Sequence, residues 1–327
     1  MIVPQYWAEG RIQHREPGKQ ITIRRFGWSD TSQADAQTRA DDRTQAAFQR
    51  WRSGEKGFEK RERKAAYNGA VGVPIREEIV SRHGDTIITR NSYGARCLNT
   101  PNVFFADIDY EYTNIGLSAA VGCLVSISGC ASVVAFWRIG VVWSVVFACL
   151  LFALGCMIPG VVRNFRHWMA GGPEAAGRSR IYRFLSKHPE WNLRIYRTPA
   201  GLRVMATHQA FSPDDPAVAQ CFRAFQTDPL YVRMCLNQKC FRARVTAKPW
   251  RVGISTRMKP RLGAWPVAPE RMPVRIAWIV AYEEAAQLFA ACTFVESIGS
   301  GVIHQEVWPV QELHDELCRA NSKLPIA

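Results

Sequence analysis

The sequence predicts an α+β protein with a βαββαβ core and an inserted transmembrane helical hairpin. Three observations lead to this fold class. Two apolar stretches of 23 and 24 residues contain no charged side chain. Around them, strand and helix patterns alternate in the order strand, helix, strand, strand, helix, strand, which is the RRM-like or palm-like arrangement. The chain has 327 residues, enough to bury a sizeable core.

The two apolar stretches are Ile115–Trp137 and Ile139–Val162, and only Arg138 separates them. At about 1.5 Å per residue, a helix of either length reaches roughly 35 Å, enough to cross a ~30 Å hydrocarbon core. Two buried core helices are the alternative, but uninterrupted stretches above ~18 residues favour membrane spans. We therefore expect residues 114–163 to cross a lipid bilayer twice, as an integral hairpin.

The flanking charges predict the orientation of that hairpin. Several arginines follow Val162, whereas the turn holds only Arg138. By the positive-inside rule, both termini then lie in the cytoplasm, and the protein is a multi-pass protein of the cell (inner) membrane. The ten cysteines show no spacing typical of a secreted disulfide framework, which fits a reducing compartment.

The formal net charge is +14, and it is concentrated between Arg163 and Arg275, where 21 Lys/Arg face six Asp/Glu. A basic surface of this kind suits anionic lipids, a nucleotide or a nucleic acid. Charge alone does not separate these partners. The sequence has no phosphate loop, no nucleophile elbow and no H-E-x-x-H motif, so function classes that depend on them receive no support.

Periodicity predicts the remaining elements. A β-hairpin spans Tyr6–Trp28, and Ser29 or Asp30 caps a polar helix that runs to about Trp51. Further helices are predicted at 75–83, 179–188, 213–226, 276–295 and 307–320, and further strands at 86–89, 103–110, 193–197, 202–207, 230–236 and 241–245. The predicted domains are 1–64 (hairpin, helix and linker), 65–113 (first core part), 114–163 (hairpin in the membrane), 164–275 (basic second core part) and 276–327 (C-terminal helices).

Asp107 and Asp109 end the predicted strand at 103–110. Alternate residues of a strand point to the same face, so the two carboxylates are placed as ligands of a shared Mg²⁺ or Mn²⁺. Two such ions align a triphosphate for in-line displacement, which makes both acids candidate catalytic and metal-binding residues. The alternative is that they simply end the strand.

The run Val103–Asp109 resembles the first motif of the archaeo-eukaryotic primase (primase-polymerase) superfamily, an apolar run that ends in D-x-D. The segment Arg197–Val204 is similar to its second motif, a turn that leads into a strand with a nucleotide-contacting His. Arg203 stands at the position of that His, and His208 follows five residues later. The resemblance implies a palm-like core and a nucleotide bound by Arg197, Arg203 and His208.

Nearly the whole chain also resembles a family of uncharacterised bacterial two-helix membrane proteins. The residues that carry this resemblance are Ile75–Glu78, Thr89–Gly94, the D-x-D strand, Cys240–Arg244 and Lys248–Arg251. The resemblance implies the two-helix anchor and no particular activity.

Basic residues are interleaved with aromatic ones from the predicted strand at 230–236 onwards. The basic candidates for ligand binding are Arg233, Arg242, Arg244 and Lys248, together with Lys239 and Arg251. Arg242 and Arg244 share a strand face, so two guanidiniums could clamp a polyphosphate while Tyr231, Phe241 or Trp250 stacks on bases. The alternative is a solvated strip of arginines over aromatic core residues.

A C-x₄-C pair, Cys235 and Cys240, and an H-x₃-C pair, His314 and Cys318, are candidate ligands of a Zn²⁺ ion. The alternative places His314 and Asp315 on the exposed face of the last helix.

Together these patterns predict a membrane-anchored cytoplasmic module that binds an anionic polyphosphate ligand, a nucleotide or nucleic acid. Metal-dependent nucleotidyl or phosphoryl transfer is the candidate reaction. The alternative function is a non-catalytic, membrane-bound adaptor or assembly protein whose basic face binds anionic lipid or an acidic partner. The sequence leaves open whether the protein is an enzyme.

Overall fold

The computed structural model describes residues 3–62, 73–110, 124–125, 141–169, 171–259 and 265–327. In these residues the chain forms ten strands in three sheets and seven α-helices. It divides into two compact units. One comprises Met1–Asp107, Leu185–Pro199 and Arg203–Ala327, and the other comprises Ile108–Phe184 and Ala200–Leu202.

The bounds of the elements are as follows. The strands are β1 (Tyr6–Glu16), β2 (Lys19–Ser29), β3 (Glu78–His83), β4 (Thr86–Arg90), β5 (Arg96–Thr100), β6 (Phe105–Asp109), β7 (Asn192–Thr198), β8 (Gly201–Ala206), β9 (Phe241–Arg244) and β10 (Thr293–Gly299). The helices are α1 (Gln33–Arg52), α2 (Val141–Met169), α3 (Pro173–Leu185), α4 (Pro216–Phe225), α5 (Pro229–Gln238), α6 (Met272–Ala286) and α7 (Trp308–Cys318).

The N-terminal hairpin and the polar helix are both confirmed. Strands β1 and β2 pair antiparallel along their whole length. Helix α1 begins after Ser32, whose side-chain oxygen accepts a hydrogen bond from the Asp35 backbone N–H, so the N-cap lies later than predicted. Ala36 and Ala40 are fully buried, and Gly10 and Gly27 leave the space that lets the helix backbone approach the hairpin.

Two four-stranded sheets carry the rest of the fold. One has the antiparallel order β3-β4-β5-β9, and the other has the order β10-β7-β8-β6. Strand β4 is buried along its whole length. In the first sheet, Asn99 of β5 lies opposite Arg242 of β9, and Cys97 lies opposite Arg244. This register decides which side chains meet at the site described below.

The protein is α+β, but the predicted βαββαβ core, RRM-like or palm-like, is wrong. The segment predicted as a strand at 230–236 belongs to helix α5, because Asp228 caps it by accepting a hydrogen bond from Leu230 N and Pro229 occupies its first turn. Strand β9 then pairs with β5 in the other sheet. The end of the helix predicted at 276–295 is instead strand β10, which pairs with β7.

The short helix predicted at 75–83 is also wrong, because its second half is strand β3. Strand β5, which the sequence analysis left unassigned, lies between β4 and β9. Pairing with β4 stabilises β3 as an extended strand, and this long-range effect outweighs the local pattern that suggested a helix.

The predicted transmembrane hairpin is contradicted. Most of the first apolar stretch, 115–137, lies outside the described residues. Residues 141–162 of the second stretch lie in helix α2, which continues beyond Val162 through Arg163 and Arg166. The helix therefore includes charged residues that lie outside the apolar stretch. Among the residues that the structure describes, none of the helices combines the length and apolarity that a bilayer crossing requires. This finding contradicts the predicted two-span insertion into a lipid bilayer and the predicted inner-membrane location with both termini in the cytoplasm.

We expect Gly27→Ala to destabilise the packing of α1 on the hairpin. A Cβ at Gly27 would overlap the backbone of Ala36 and Ala40, and overpacking of this kind costs about 1–3 kcal/mol. The measurement is thermal unfolding together with amide hydrogen exchange of β1, β2 and α1. Gly160→Ala is the control, because no described atom outside its own helix turn lies within 4 Å of the added Cβ. Unchanged exchange protection in Gly27→Ala would contradict this packing.

Candidate functional site

A polar cavity of about 200 Å³ lies beside strand β9. It collects side chains from strands, a turn and a helix that are far apart in the sequence. Its lining residues are Glu77, Asn91, Ser92, Tyr93, Cys97, Asp107, Tyr231, Arg242, Arg244 and Lys248. Three of the lining residues are basic and two are acidic, so the cavity presents ionisable groups of both signs.

Strand alternation places Arg242 and Arg244 on the cavity side of β9. Both side chains are partly buried, whereas the alternate residues of the strand, Phe241 and Ala243, are at most 1% exposed. The prediction that the two guanidiniums share a strand face is therefore confirmed, and so is the core position of Phe241. Tyr231 holds this strand in place, since its hydroxyl donates to Phe105 O at 3.0 Å and accepts from Arg242 N at 3.2 Å.

Arg242 is neutralised by a buried acid. Its Nη2 donates to both carboxylate oxygens of Glu77, at 2.9 and 2.7 Å, and its Nη1 donates to Asn99 Oδ1 at 3.1 Å. Thr89 also donates to Glu77, at 2.7 Å. Burial alone would lower the pKa of Arg242, but Cys97 and Glu77 raise it above its ordinary value. Arg242 therefore acts as a fixed part of the cavity wall.

The turn between β4 and β5 presents Tyr93 to the cavity. The Asn91 side-chain oxygen accepts from Tyr93 N at 3.2 Å and from Ala95 N at 3.1 Å. Gly94 has a φ of +102°, and a Cβ there would overlap the Trp278 ring. Burial raises the pKa of the Tyr93 hydroxyl, while the Arg244 and Arg242 guanidiniums act in the opposite direction. This turn explains the motif Thr89–Gly94 in structural terms.

Arg244 and Lys248 are the other two basic residues of the cavity lining. Arg244 Nε is buried and has no hydrogen-bond partner in the described part of the chain. Lys248 Nζ lies 5.4 Å from the centroid of the Trp250 ring, and Trp250 is 57% exposed. Tyr93 makes an edge contact with the same ring at 5.3 Å. The cavity therefore combines one unsatisfied buried donor, Arg244 Nε, with an aromatic surface beside it.

Asp107 closes one side of the cavity and is bound by Arg203. Arg203 Nε donates to Asp107 Oδ1 at 2.9 Å, and Nη2 donates to Oδ2 at 3.3 Å. The Arg203 side chain is 2% exposed, whereas that of Asp107 is 51% exposed. Desolvation around the carboxylate raises the pKa of Asp107, but the Arg203 guanidinium outweighs it and lowers the pKa. Arg203, predicted as a nucleotide ligand, is thus occupied inside the protein.

The other predicted site residues lie elsewhere. Asp109, Arg197 and Arg233 are exposed, and they are not among the described residues that line the cavity. His208 packs against Trp191, with ring centroids 4.7 Å apart, and burial lowers its pKa. Two of the acidic and basic candidates, Asp107 and Arg203, are brought together, but as an ion pair. A shared metal at Asp107 and Asp109 stays a prediction.

Several cavity residues were missed by reasoning from motifs and charge. The sequence predicts no role for Glu77, Asn91 or Tyr93, which lie in two of the segments that resemble the two-helix membrane family. The only local signal for Glu77 is an acid that precedes a predicted strand and a polar turn rich in Asn, Ser and Gly. Its partner Arg242 is 165 residues away, so only the fold reveals the pair.

A second polar group is formed by Cys292, His314 and Cys318. One ligand atom from each lies within 4.8 Å of the others, all three residues are fully buried, and the group could hold a metal ion. The Cys318 contact lowers the pKa of the Cys292 thiol well below its ordinary value, against burial, which raises it.

Two of the four residues predicted as Zn²⁺ ligands, His314 and Cys318, belong to this group. The third member is Cys292, and the predicted ligands Cys235 and Cys240 are not part of the group. The exposed position considered for His314 and Asp315 is wrong, since they are 0% and 6% exposed. Cys292 lies before β10 and carries no spacing signal, which is why the sequence did not indicate it.

Comparison with protein-family models, with curated proteins and with solved structures gave no significant match. The site must therefore be interpreted from its own geometry.

We expect Arg242→Met to destabilise the protein by about 3–5 kcal/mol, because it leaves the buried Glu77 carboxylate without its partner. The double variant Arg242→Met, Glu77→Met should regain much of that loss. The measurement is denaturant unfolding of both variants. Arg244→Met, on the same strand face but without an ion pair of this kind, is the control and should lose less. Equal stability of Arg242→Met and the unchanged protein would contradict the assigned pair.

Proposed function

We propose that the cavity binds the phosphoryl group of a small anionic ligand, with a nucleotide as the ligand class that fits best. The observation that carries this proposal is the unpaired donor capacity of Arg244. Its buried Nε has no partner among the described residues, and an unsatisfied buried donor is costly unless a ligand satisfies it. A phosphoryl oxygen is the acceptor that a guanidinium favours.

The charge balance of the cavity supports an anion. Arg242 is matched by Glu77, and Asp107 is matched by Arg203. The cavity lining also holds Arg244, whose buried Nε has no hydrogen-bond partner in the described part of the chain. The Ser92 and Tyr93 hydroxyls and the Asn91 amide add neutral hydrogen-bonding groups to the lining.

The size of the cavity limits what enters it. Its volume of about 200 Å³ is below the roughly 300–1,000 Å³ of pockets that enclose a whole drug-sized ligand. A phosphoryl group fits, while the rest of the ligand remains outside. Trp250, more than half exposed and in contact with Tyr93 and Lys248, offers a ring on which a base could stack.

Metal-dependent nucleotidyl or phosphoryl transfer would require more of this site than ligand binding does. Mg²⁺ or Mn²⁺ at Asp107 and Asp109 would have to compete with Arg203, which donates to both oxygens of Asp107. We therefore propose ligand binding as the function and keep metal-dependent transfer as a prediction with its own test.

We expect Arg244→Gln to weaken binding of phosphate, pyrophosphate and ATP by about ten- to hundredfold. A hydrogen bond to a charged group contributes ~1.5–3 kcal/mol, which corresponds to that loss. Isothermal titration calorimetry is the measurement, with Lys248→Gln as a second variant. The control is Arg233→Gln, which removes a charge from the same basic segment but not from the cavity lining. Equal losses in Arg233→Gln and Arg244→Gln would indicate nonspecific charge attraction and contradict the pocket.

We expect ATP binding to change by less than about threefold when Mg²⁺ is replaced by EDTA, because Asp107 is already paired with Arg203. The same titrations with and without Mg²⁺ measure this. Binding that requires Mg²⁺ and is lost in Asp107→Asn would instead support metal-dependent transfer at the two acids.

A further inference from the structure

We propose that Cys292, His314 and Cys318 form a second, separate site that binds a thiophilic d¹⁰ cation, Zn²⁺ or Cu⁺. The cation would be held by two thiolates and by His314 Nε2. This site goes beyond the anion-binding function of the cavity and does not depend on it.

The donor set selects the class of metal. Thiolate sulfur and imidazole nitrogen are ligands of Zn²⁺ and Cu⁺, whereas Mg²⁺ and Ca²⁺ take oxygen ligands. The three ligand atoms lie within 4.8 Å of one another. His314 and Cys318 are four residues apart on α7, so they share one face of that helix. A hydrogen bond of 3.0 Å from Ala291 N to Cys318 O holds Cys292 beside the helix end.

The groups around His314 orient it as metal-ligating histidines are oriented. Its Nδ1 lies 3.1 Å from Asp315 Oδ1, which assigns the ring proton to Nδ1 and leaves the Nε2 lone pair directed at the thiols. Cys318 Sγ is 3.4 Å from Nε2. A carboxylate that accepts the second ring N–H of a metal ligand is a recurrent feature of zinc sites.

Asp315 is itself fixed by two further donors. Tyr196 donates its hydroxyl to Oδ1 at 2.6 Å, and Arg194 Nη2 donates to Oδ2 at 2.6 Å. This arrangement of Arg194, Tyr196, Asp315 and His314 is more elaborate than a buried imidazole needs for its own hydrogen bonds. It is the outer support that a metal ligand requires to keep its orientation.

The local charge also favours a cation. Two buried thiolates would be costly without a positive partner, and a divalent ion between them gives a neutral site. Arg203 Nη1 is 3.4 Å from Nε2 but only 2.8 Å from Arg244 O, its better acceptor. A bound cation would therefore displace only the weaker of these two contacts.

The experiment uses the full chain, freed of metal with a chelator under reducing conditions, and titrated with Zn²⁺ or Cu⁺ against a competing chromophoric chelator. We expect one tightly bound equivalent per chain. Cys292→Ser and Cys318→Ser should lose it, and Asp315→Asn should weaken it about ten- to hundredfold. Cys221→Ser is the matched control, because Cys221 is equally buried but outside the group. Tighter binding of one ion over the other identifies the metal.

Substitution with Co²⁺ tests the site in the unchanged protein, so the result does not depend on whether a variant folds. A thiolate-to-cobalt charge-transfer band at one equivalent supports the proposal. The proposal is overturned if neither ion binds at one equivalent, or if the bound equivalent persists in the two serine variants. Absence of the cobalt–thiolate band overturns it as well.

Discussion

The buried guanidinium of Arg203 is the group on which the two candidate sites depend. An almost fully buried cation is tolerated only when its donors are satisfied, and Arg203 meets this demand with Asp107 and Arg244 O, with His314 Nε2 at longer range. Asp107 and Arg244 line the cavity, and His314 belongs to the cysteine–histidine group. One side chain on β8 thus fixes the wall of one site and contacts a ligand of the other.

The cavity owes its character to which charges are paired. Glu77 neutralises Arg242 inside the β3-β4-β5-β9 sheet, and Arg203 neutralises Asp107. Arg244 is presented on strand β9, and its buried Nε has no partner in the described part of the chain. Placement on a strand matters because a preorganised guanidinium loses little entropy when it binds a phosphoryl group. The two sites differ in the ligands they favour. The guanidinium of the cavity favours phosphoryl oxygens, whereas the thiols of the second group favour thiophilic cations.

Local patterns predicted the parts of this fold that local interactions decide. The N-terminal hairpin, the turn at Thr198–Gly201 and the shared face of Arg242 and Arg244 follow from alternation and turn chemistry. Local patterns do not predict which distant segments pair with each other. The contacts of β5 with β9, of Glu77 with Arg242, and of Cys292 with α7 join distant segments. The membrane prediction failed because it rested on the apolarity of a run of sequence, whereas a crossing requires a helix with suitable length and apolarity.

The ion pair of Arg203 and Asp107 predicts that these two side chains are energetically coupled. A double-mutant cycle of unfolding free energy with Arg203→Met, Asp107→Asn and the combined variant measures that coupling directly. We expect a coupling free energy of about 1–3 kcal/mol between the Arg203 guanidinium and the Asp107 carboxylate. Additive effects within about 0.5 kcal/mol would contradict it.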